Sequence, residues 1–320
     1  MSEDRFSLTQ KPPGTKPLPR LVIYGEPGVG KSTFGAAAPG AIVVPTEDGT
    51  LGLSVARIPN EGKCESWGEL MFALKALRDR EHAHKWVILD TFNNAEHLCA
   101  AMVCERDFSG VWNSAKGKEG YNAYGKGDKA TAEEFRELLN LLDVLQQKKN
   151  MGVILLGHIG LHKQGNAMGS DFQKFGGDCG KATWNIICGW ADQVAHAGRE
   201  MRVSAKEGEK AKASAIGSER WLTFEGGPAR DAKSRAGYEM PEKILLSWDE
   251  YAAHLGGEGR CAELIEQALG LIAAAAPSPR GVIEKTLGGP ATAENLGKLA
   301  KNRLENLIGY LMAAEEKEKA

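Results

Sequence analysis

None of the six cysteines (Cys64, Cys99, Cys104, Cys179, Cys188, Cys261) forms a CxxC pair. Their scatter excludes a zinc ribbon and a disulfide framework and reads as reduced thiols. An excess of one charge sign is also missing: 40 Lys plus Arg face 42 Asp plus Glu, a net charge of −2. No whole-protein field therefore draws the chain to DNA, and any nucleic-acid site must come from local clusters of Lys and Arg. No apolar run nears the roughly 18–20 residues needed to span a bilayer, and the polar first residues lack the apolar stretch of a signal peptide. The expectation is a cytoplasmic protein with no membrane partner. His158 and His162 have metal-ligand spacing, but they follow a strand-like run and lack a third ligand, so no metal is read there.

What is present is ample core material, 42% hydrophobic against 26% charged residues, and 39 glycines, well above the average share of roughly 7%. The glycines cluster in residues 25–30, 108–130 and 157–180. At 320 residues, one large domain with a smaller companion is expected. Residues 1–19, with Pro12, Pro13, Pro17 and Pro19, read as an extended N-terminal segment.

Four short apolar runs follow, Leu21–Tyr24, Ala41–Val44, Trp86–Leu89 and Val153–Leu156. Each is continuous rather than alternating, as in strands buried on both faces. Helical periodicity separates them, with capping-box signatures at Ser66/Glu69 and Thr131/Glu134. Strands alternating with helices predict an α/β fold with a mainly parallel sheet. Short strands at Asp192–Ala197, Met201–Ala205 and Trp221–Phe224, the charged stretch Lys206–Arg220 between the last two, extend it as C-terminal hairpins. The glycines at 256, 257 and 259 then separate a core, residues 20–256, from a small helical C-terminal appendage, residues 257–320, with helices over Cys261–Ala276 and Leu296–Met312.

One motif carries chemistry. Gly25-Glu26-Pro27-Gly28-Val29-Gly30-Lys31-Ser32, followed by Thr33, fits GxxxxGK[ST] directly after a strand and before a possible helix. The glycines let backbone N–H groups curl round phosphate oxygens at a helix N-terminus. Lys31 is expected to reach the β- and γ-phosphates and the Ser32 hydroxyl to ligate magnesium, so ATP and Mg2+ are the expected cofactors. A second magnesium-side carboxylate is expected at the tip of another buried strand, and Asp90 fits, although an acid there could also cap the next helix. Glu47, with Asp48 as the competing choice, is placed to orient the attacking water.

This order of a P-loop strand and strands ending in Thr46-Glu47, Asp90 and Gly157-His158 resembles the RecA-type P-loop NTPase core. The resemblance, over residues 20 to about 250, is nearest to phage-encoded RecA-like ATPases of the Sak single-strand annealing type. It implies that Glu47 activates water and that His158, where the family more often has Gln, senses the γ-phosphate and relays it to a DNA-binding loop. Ala232-Lys233-Ser234-Arg235-Ala236-Gly237 is similar to the Lys-Asn-Arg-Phe-Gly segment of ring ATPases. That likeness implies that Lys233 and Arg235 reach a neighbour's γ-phosphate in a ring or filament of identical subunits.

RecA-type proteins hold DNA in two loops, and long glycine-rich segments stand at both places. Ser109–Ala130 carries Trp112, Lys116, Lys118, Tyr121, Tyr124 and Lys126; Ile159–Lys181 carries Lys163, Phe172 and Lys174. Aromatics interleaved with cations suit single-strand binding by stacking and backbone contact. The expectation is a Mg-dependent, DNA-stimulated ATPase that promotes annealing or strand exchange on single-stranded DNA in a bacterial host cytosol. A single-strand binding protein is a further partner. Two alternatives stand: a ring motor of the RadA or DnaB kind, and an ATP switch that grips protein instead of DNA.

Overall fold

The continuous apolar runs become central strands because each is covered on both sides. In the computed structural model, which describes residues 17–113, 119–165, 169–204, 212–255, 267–273, 290, 292, 296 and 307–312, β1 (Arg20–Gly25) sends Val22 and Tyr24 into one apolar cluster and Leu21 and Ile23 into another. The first cluster lies under α2 (Trp67–Asp79), α3 (Phe92–Phe108), α4 (Lys126–Lys149) and α5 (Lys181–Trp190). The second lies under α1 (Lys31–Ala36) and α6 (Trp248–Leu255). Strands sealed between two helical layers have no solvent face on which to show polar residues.

The remaining strands are β2 (Ala41–Pro45), β3 (Ala56–Arg57), β4 (Trp86–Asp90), β5 (Gly152–Gln164), β6 (Phe172–Gly177), β7 (Gln193–Ser204), β8 (Lys212–Thr223), β9 (Lys233–Ser234) and β10 (Lys243–Leu245). The sheet order is β10-β8-β7-β1-β5-β4-β2-β3, with β6 on β5 and β9 on β7. From β7 through β3 the neighbours are parallel, while β8, β9 and β10 add antiparallel pairs. This is the expected mainly parallel α/β sheet with C-terminal hairpin strands. Among the described residues, no helix is long and apolar enough to cross a membrane.

Four local expectations are corrected. The segment after Leu156 is not a loop: β5 runs on to Gln164 and pairs antiparallel with β6, Ile159 opposite Gly177. Its glycines suggested breaks, but Gly177 serves close packing, since a Cβ there would lie 2.5 Å from Phe92. The Thr131/Glu134 box caps nothing, because α4 starts at Lys126; the Thr131 hydroxyl instead meets the Tyr121 hydroxyl at 2.6 Å. Ser66 does cap α2, accepting from the Glu69 N–H, whereas the Glu69 carboxylate accepts from Glu65 rather than from Ser66. The charged stretch before Trp221 is partly strand: residues 212–220 belong to β8, paired antiparallel with β7, because ladder hydrogen bonds join backbone groups whatever the side chains.

Residues 1–16 of the N-terminal segment lie outside the described residues, and so does most of the C-terminal part. Within the expected appendage, residues 267–273 and 307–312 are helical, and Ala268, Ile272, Leu296, Ile308 and Leu311 form an apolar cluster of their own.

Candidate nucleotide site

The C-terminal ends of the parallel strands meet at one edge, where ligands bind in open α/β sheets. β5 lies between β1 and β4, so His158 pairs with Gly25 and Leu156 with Asp90. That order brings three expected groups to one place: the P-loop at the end of β1, His158 on β5, and Asp90 ending β4. Glu47 joins them from the turn after β2, its N–H and that of Thr46 both donating to the Asp90 carbonyl. Gly30 caps α1 with φ 107°, a left-handed conformation that favours glycine.

Pro27, Gly28, Gly30, Lys31, Ser32, Thr33, Glu47, Asp90, Thr91, His158 and Arg220 line a cleft of about 320 Å³. Lys31 is buried, and its ammonium donates to the Gly25 and Glu26 carbonyls at 2.9 Å each. Burial lowers its pKa, opposed by Asp90, Glu47 and Glu26. Burial raises the pKa of Asp90, a bond from Ser32 opposes this, and the charge of Glu47 adds to it. The site thus holds a desolvated cation and a desolvated anion, groups suited to triphosphate and metal.

Asp90 does not cap α3. Thr91 does, its hydroxyl accepting from the Asn94 N–H at 3.3 Å. Asp90 Oδ2 is buried with no hydrogen-bond partner among the described residues. An orphaned carboxylate oxygen beside the Ser32 hydroxyl fits a divalent cation, so Ser32 and Asp90 would hold magnesium, supplying charge neutralisation at the phosphates.

Glu47 is fixed from two sides. Thr91 Oγ1 donates to one carboxylate oxygen at 2.7 Å, and His158 Nε2 is 3.2 Å from the other. Asp48, the competing acid, points away, 2.9 Å from Lys63 at the surface. The His158 N–H donates to Asn93 Oδ1 at 2.7 Å, and the Asn93 amide bonds the Asp178 carbonyl beyond the end of β6. Gly157 permits this packing, because a Cβ there would lie 2.2 Å from Phe92.

Arg220 was not foreseen. From β8 its guanidinium donates to the Val29 carbonyl at 3.2 Å, across 191 positions of sequence. A lone arginine in a charged stretch carries no local signal for that; only β7–β8 pairing brings it to the P-loop.

The other expected site residues lie elsewhere. Tyr121 is buried, its ring packed against Gly127 and its hydroxyl on Thr131. Burial also pushes its pKa up to about 12. It is therefore corrected from a base-stacking residue to a core residue. Trp112, tilted against Tyr121 at 4.7 Å, and Tyr124 are exposed, and Lys126 opens α4 on the surface. Lys116 and Lys118 lie outside the described residues. Phe172 is exposed at the start of β6; Lys163 pairs with Asp171 at 2.9 Å and Lys174 with Asp231 at 2.6 Å. Lys233 sits opposite Val194, and Arg235 bonds the Gly189 carbonyl and lies 3.5 Å from Asp192. Val194 pairs with Val22, so both cations lie toward the start of β1, away from their own P-loop.

The fold and this site define a P-loop ATPase. A sequence profile described as AAA domain matches residues 18–236, more than half of the chain, and the protein belongs to that family. No curated protein matches the chain.

Proposed function

We propose that the protein is a magnesium-dependent ATPase that binds single-stranded DNA, assembles with copies of itself and promotes annealing or strand exchange in homologous recombination. One observation carries this reading. His158, hydrogen-bonded to Glu47 inside the nucleotide cleft, is also the residue where β5 leaves the sheet edge and becomes an arm of the β5–β6 hairpin. That hairpin carries exposed Leu161, Phe172 and Phe175 together with Lys163 and Lys174.

In this reading Glu47 orients the attacking water, His158 reads the γ-phosphate, and the hairpin transmits the change to the strand. Stacked bases contribute about 1–3 kcal/mol each, and Trp112 and Tyr124 supply a second exposed aromatic surface. Assembly through Lys233 and Arg235 requires Arg235 to exchange Asp192 and the Gly189 carbonyl for a neighbour's phosphate. The same exposed Leu161, Phe172 and Phe175 would serve a switch that grips protein instead of DNA.

The test is ATP turnover with and without single strands, combined with salt-titrated DNA binding and photocrosslinking. Stimulated turnover, binding that weakens with salt, and crosslinks at Tyr124 or Phe172 support the reading. Turnover and assembly indifferent to single strands, with no salt-sensitive binding, would leave the ATPase standing and remove DNA from its function. Unwinding of duplexes would instead indicate a ring motor.

A further inference from the structure

A second cavity, of about 450 Å³, lies on the opposite face of β7 and β8 from the P-loop helix. Strand alternation sets the two faces apart. Ala197 and Leu222 enter the apolar cluster under α1 and α6, whereas His196, Trp221 and Thr223 point the other way. The wall is completed by Phe175 of β6, by Arg230, whose backbone bridges to Phe175, and by Lys243 of β10.

The chemistry of this wall is specific. Phe175 lies parallel to His196, with centroids 6.3 Å apart. Lys243 Nζ stands 4.2 Å from the centre of the Trp221 ring. Burial, with the Arg230 charge second, pushes the His196 pKa down to about 4, so its ring is neutral at neutral pH. The cations of the cavity face are therefore Arg230 and Lys243, against the single carboxylate of Glu242; Arg199 also borders the cavity, but it stands directly opposite Arg220 and so shares the face that looks toward the P-loop. Among the described residues, the Arg230 guanidinium has no hydrogen-bond or ion-pair partner. Guanidinium groups match phosphate oxygens in a planar, bidentate fashion. Aromatic faces beside such cations take the π-face of a base. The volume lies within the range of small-molecule sites, about 300–1,000 Å³.

We propose that this cavity is a second nucleotide-binding site, in which a base packs against Phe175 and Trp221 while its phosphate is held by Arg230 and Lys243. The occupant is either a free nucleotide or one unit of a single strand. The site is distinct from the P-loop cleft and does not rest on the strand-handling reading. Neighbouring residues on β8 nevertheless serve both: Arg220 contacts the P-loop and Trp221 lines the second cavity.

The test uses the full chain carrying Lys31→Ala, which removes the P-loop ammonium, so that remaining binding sensitive to the cavity cations reports the second cavity. Equilibrium binding of labelled AMP and of a short oligothymidylate is measured at low salt, with thermal melting as the folding control. Saturable binding is expected to persist in Lys31→Ala. Adding Arg230→Gln or Lys243→Gln should weaken it roughly ten-fold, the loss expected for one charge-assisted contact. Lys243 is only partly buried on the edge strand β10, so its substitution keeps the test valid if Arg230→Gln fails to fold. AMP binding that weakens with these cations identifies a free nucleotide as the source; oligothymidylate binding alone, weakened in the same way, identifies a strand unit. Binding of unchanged affinity after both substitutions, or no binding of either probe, overturns the proposal.

Discussion

Replacing Glu47 by glutamine should separate nucleotide binding from hydrolysis. The glutamine amide oxygen still accepts from the Thr91 hydroxyl, as Glu47 does at 2.7 Å, and its amide NH2 faces His158 Nε2, now an acceptor, at the present 3.2 Å. The side chain is about a third exposed, so removing its charge should change stability by less than about 1 kcal/mol. What disappears is the carboxylate that, in the proposed reading, takes a proton from water. General bases contribute about 10²–10⁴-fold, which corresponds to a barrier increase of about 2.7–5.5 kcal/mol. Single-turnover ATP hydrolysis should fall by that factor, while affinity for a fluorescent ATP analogue stays within about three-fold. Asp48→Asn is the comparator: Asp48 is exposed and paired with Lys63, so turnover should stay within about two-fold. Turnover of Glu47→Gln within about three-fold of the parent protein would refute the reasoning.

Three further outcomes follow from the same contacts. Lys31→Ala should remove the rise in melting temperature that ATP produces, about 2.7 kcal/mol of linkage at a ligand concentration of 100 Kd; a full ATP-dependent shift in the variant would contradict the phosphate role. Asp192→Asn should cost about 3–5 kcal/mol in urea unfolding, the usual loss on breaking a buried pair, because the Arg20 backbone N–H, Nε and Nη2 all donate to this largely buried carboxylate. Burial pushes the Asp192 pKa up, but the Arg20 bonds outweigh it and the value is lowered. The stability it contributes is therefore present above the unfolded pKa near about 3.9 and lost as pH falls through the lower folded value, where parent and variant should converge. Asp90→Asn should do the reverse. Burial raises the Asp90 pKa, so its ionised form costs stability at neutral pH, and the cost shrinks as pH falls below the folded pKa and is gone below the unfolded value near about 3.9. The variant should melt higher than the parent at neutral pH while losing Mg-dependent hydrolysis; a lower melting temperature would contradict the desolvation argument.

The site was legible where its signals are contiguous. The P-loop is eight adjacent residues after a strand, and Asp90 ends a continuous run of four apolar residues, the pattern of a strand buried on both faces. Glu47 stands just past the end of β2 and His158 where β5 leaves the parallel sheet for its hairpin with β6, and the expectation that these points share one edge follows from the parallel sheet. The β5–β6 hairpin was not legible, because Gly157, Gly160, Gly176 and Gly177 read as loop residues until the bulk of Phe92, Trp184 and Asp178 around them is known. Tyr121 misled for a related reason. An aromatic among lysines and glycines suggests a solvated loop, yet its ring packs over Gly127 and its hydroxyl meets Thr131.

By itself, then, the sequence determined the α/β class and the P-loop, since spacing along one stretch of chain dictates how backbone N–H groups and a neighbouring lysine present themselves to an anion. The tertiary structure alone decided that β5 lies between β1 and β4, that Glu47 is held between Thr91 and His158 while Asp48 faces Lys63, and that Arg220 reaches the P-loop from β8. Those relations depend on strand order and register between segments tens to hundreds of residues apart, and no local pattern of residues encodes them.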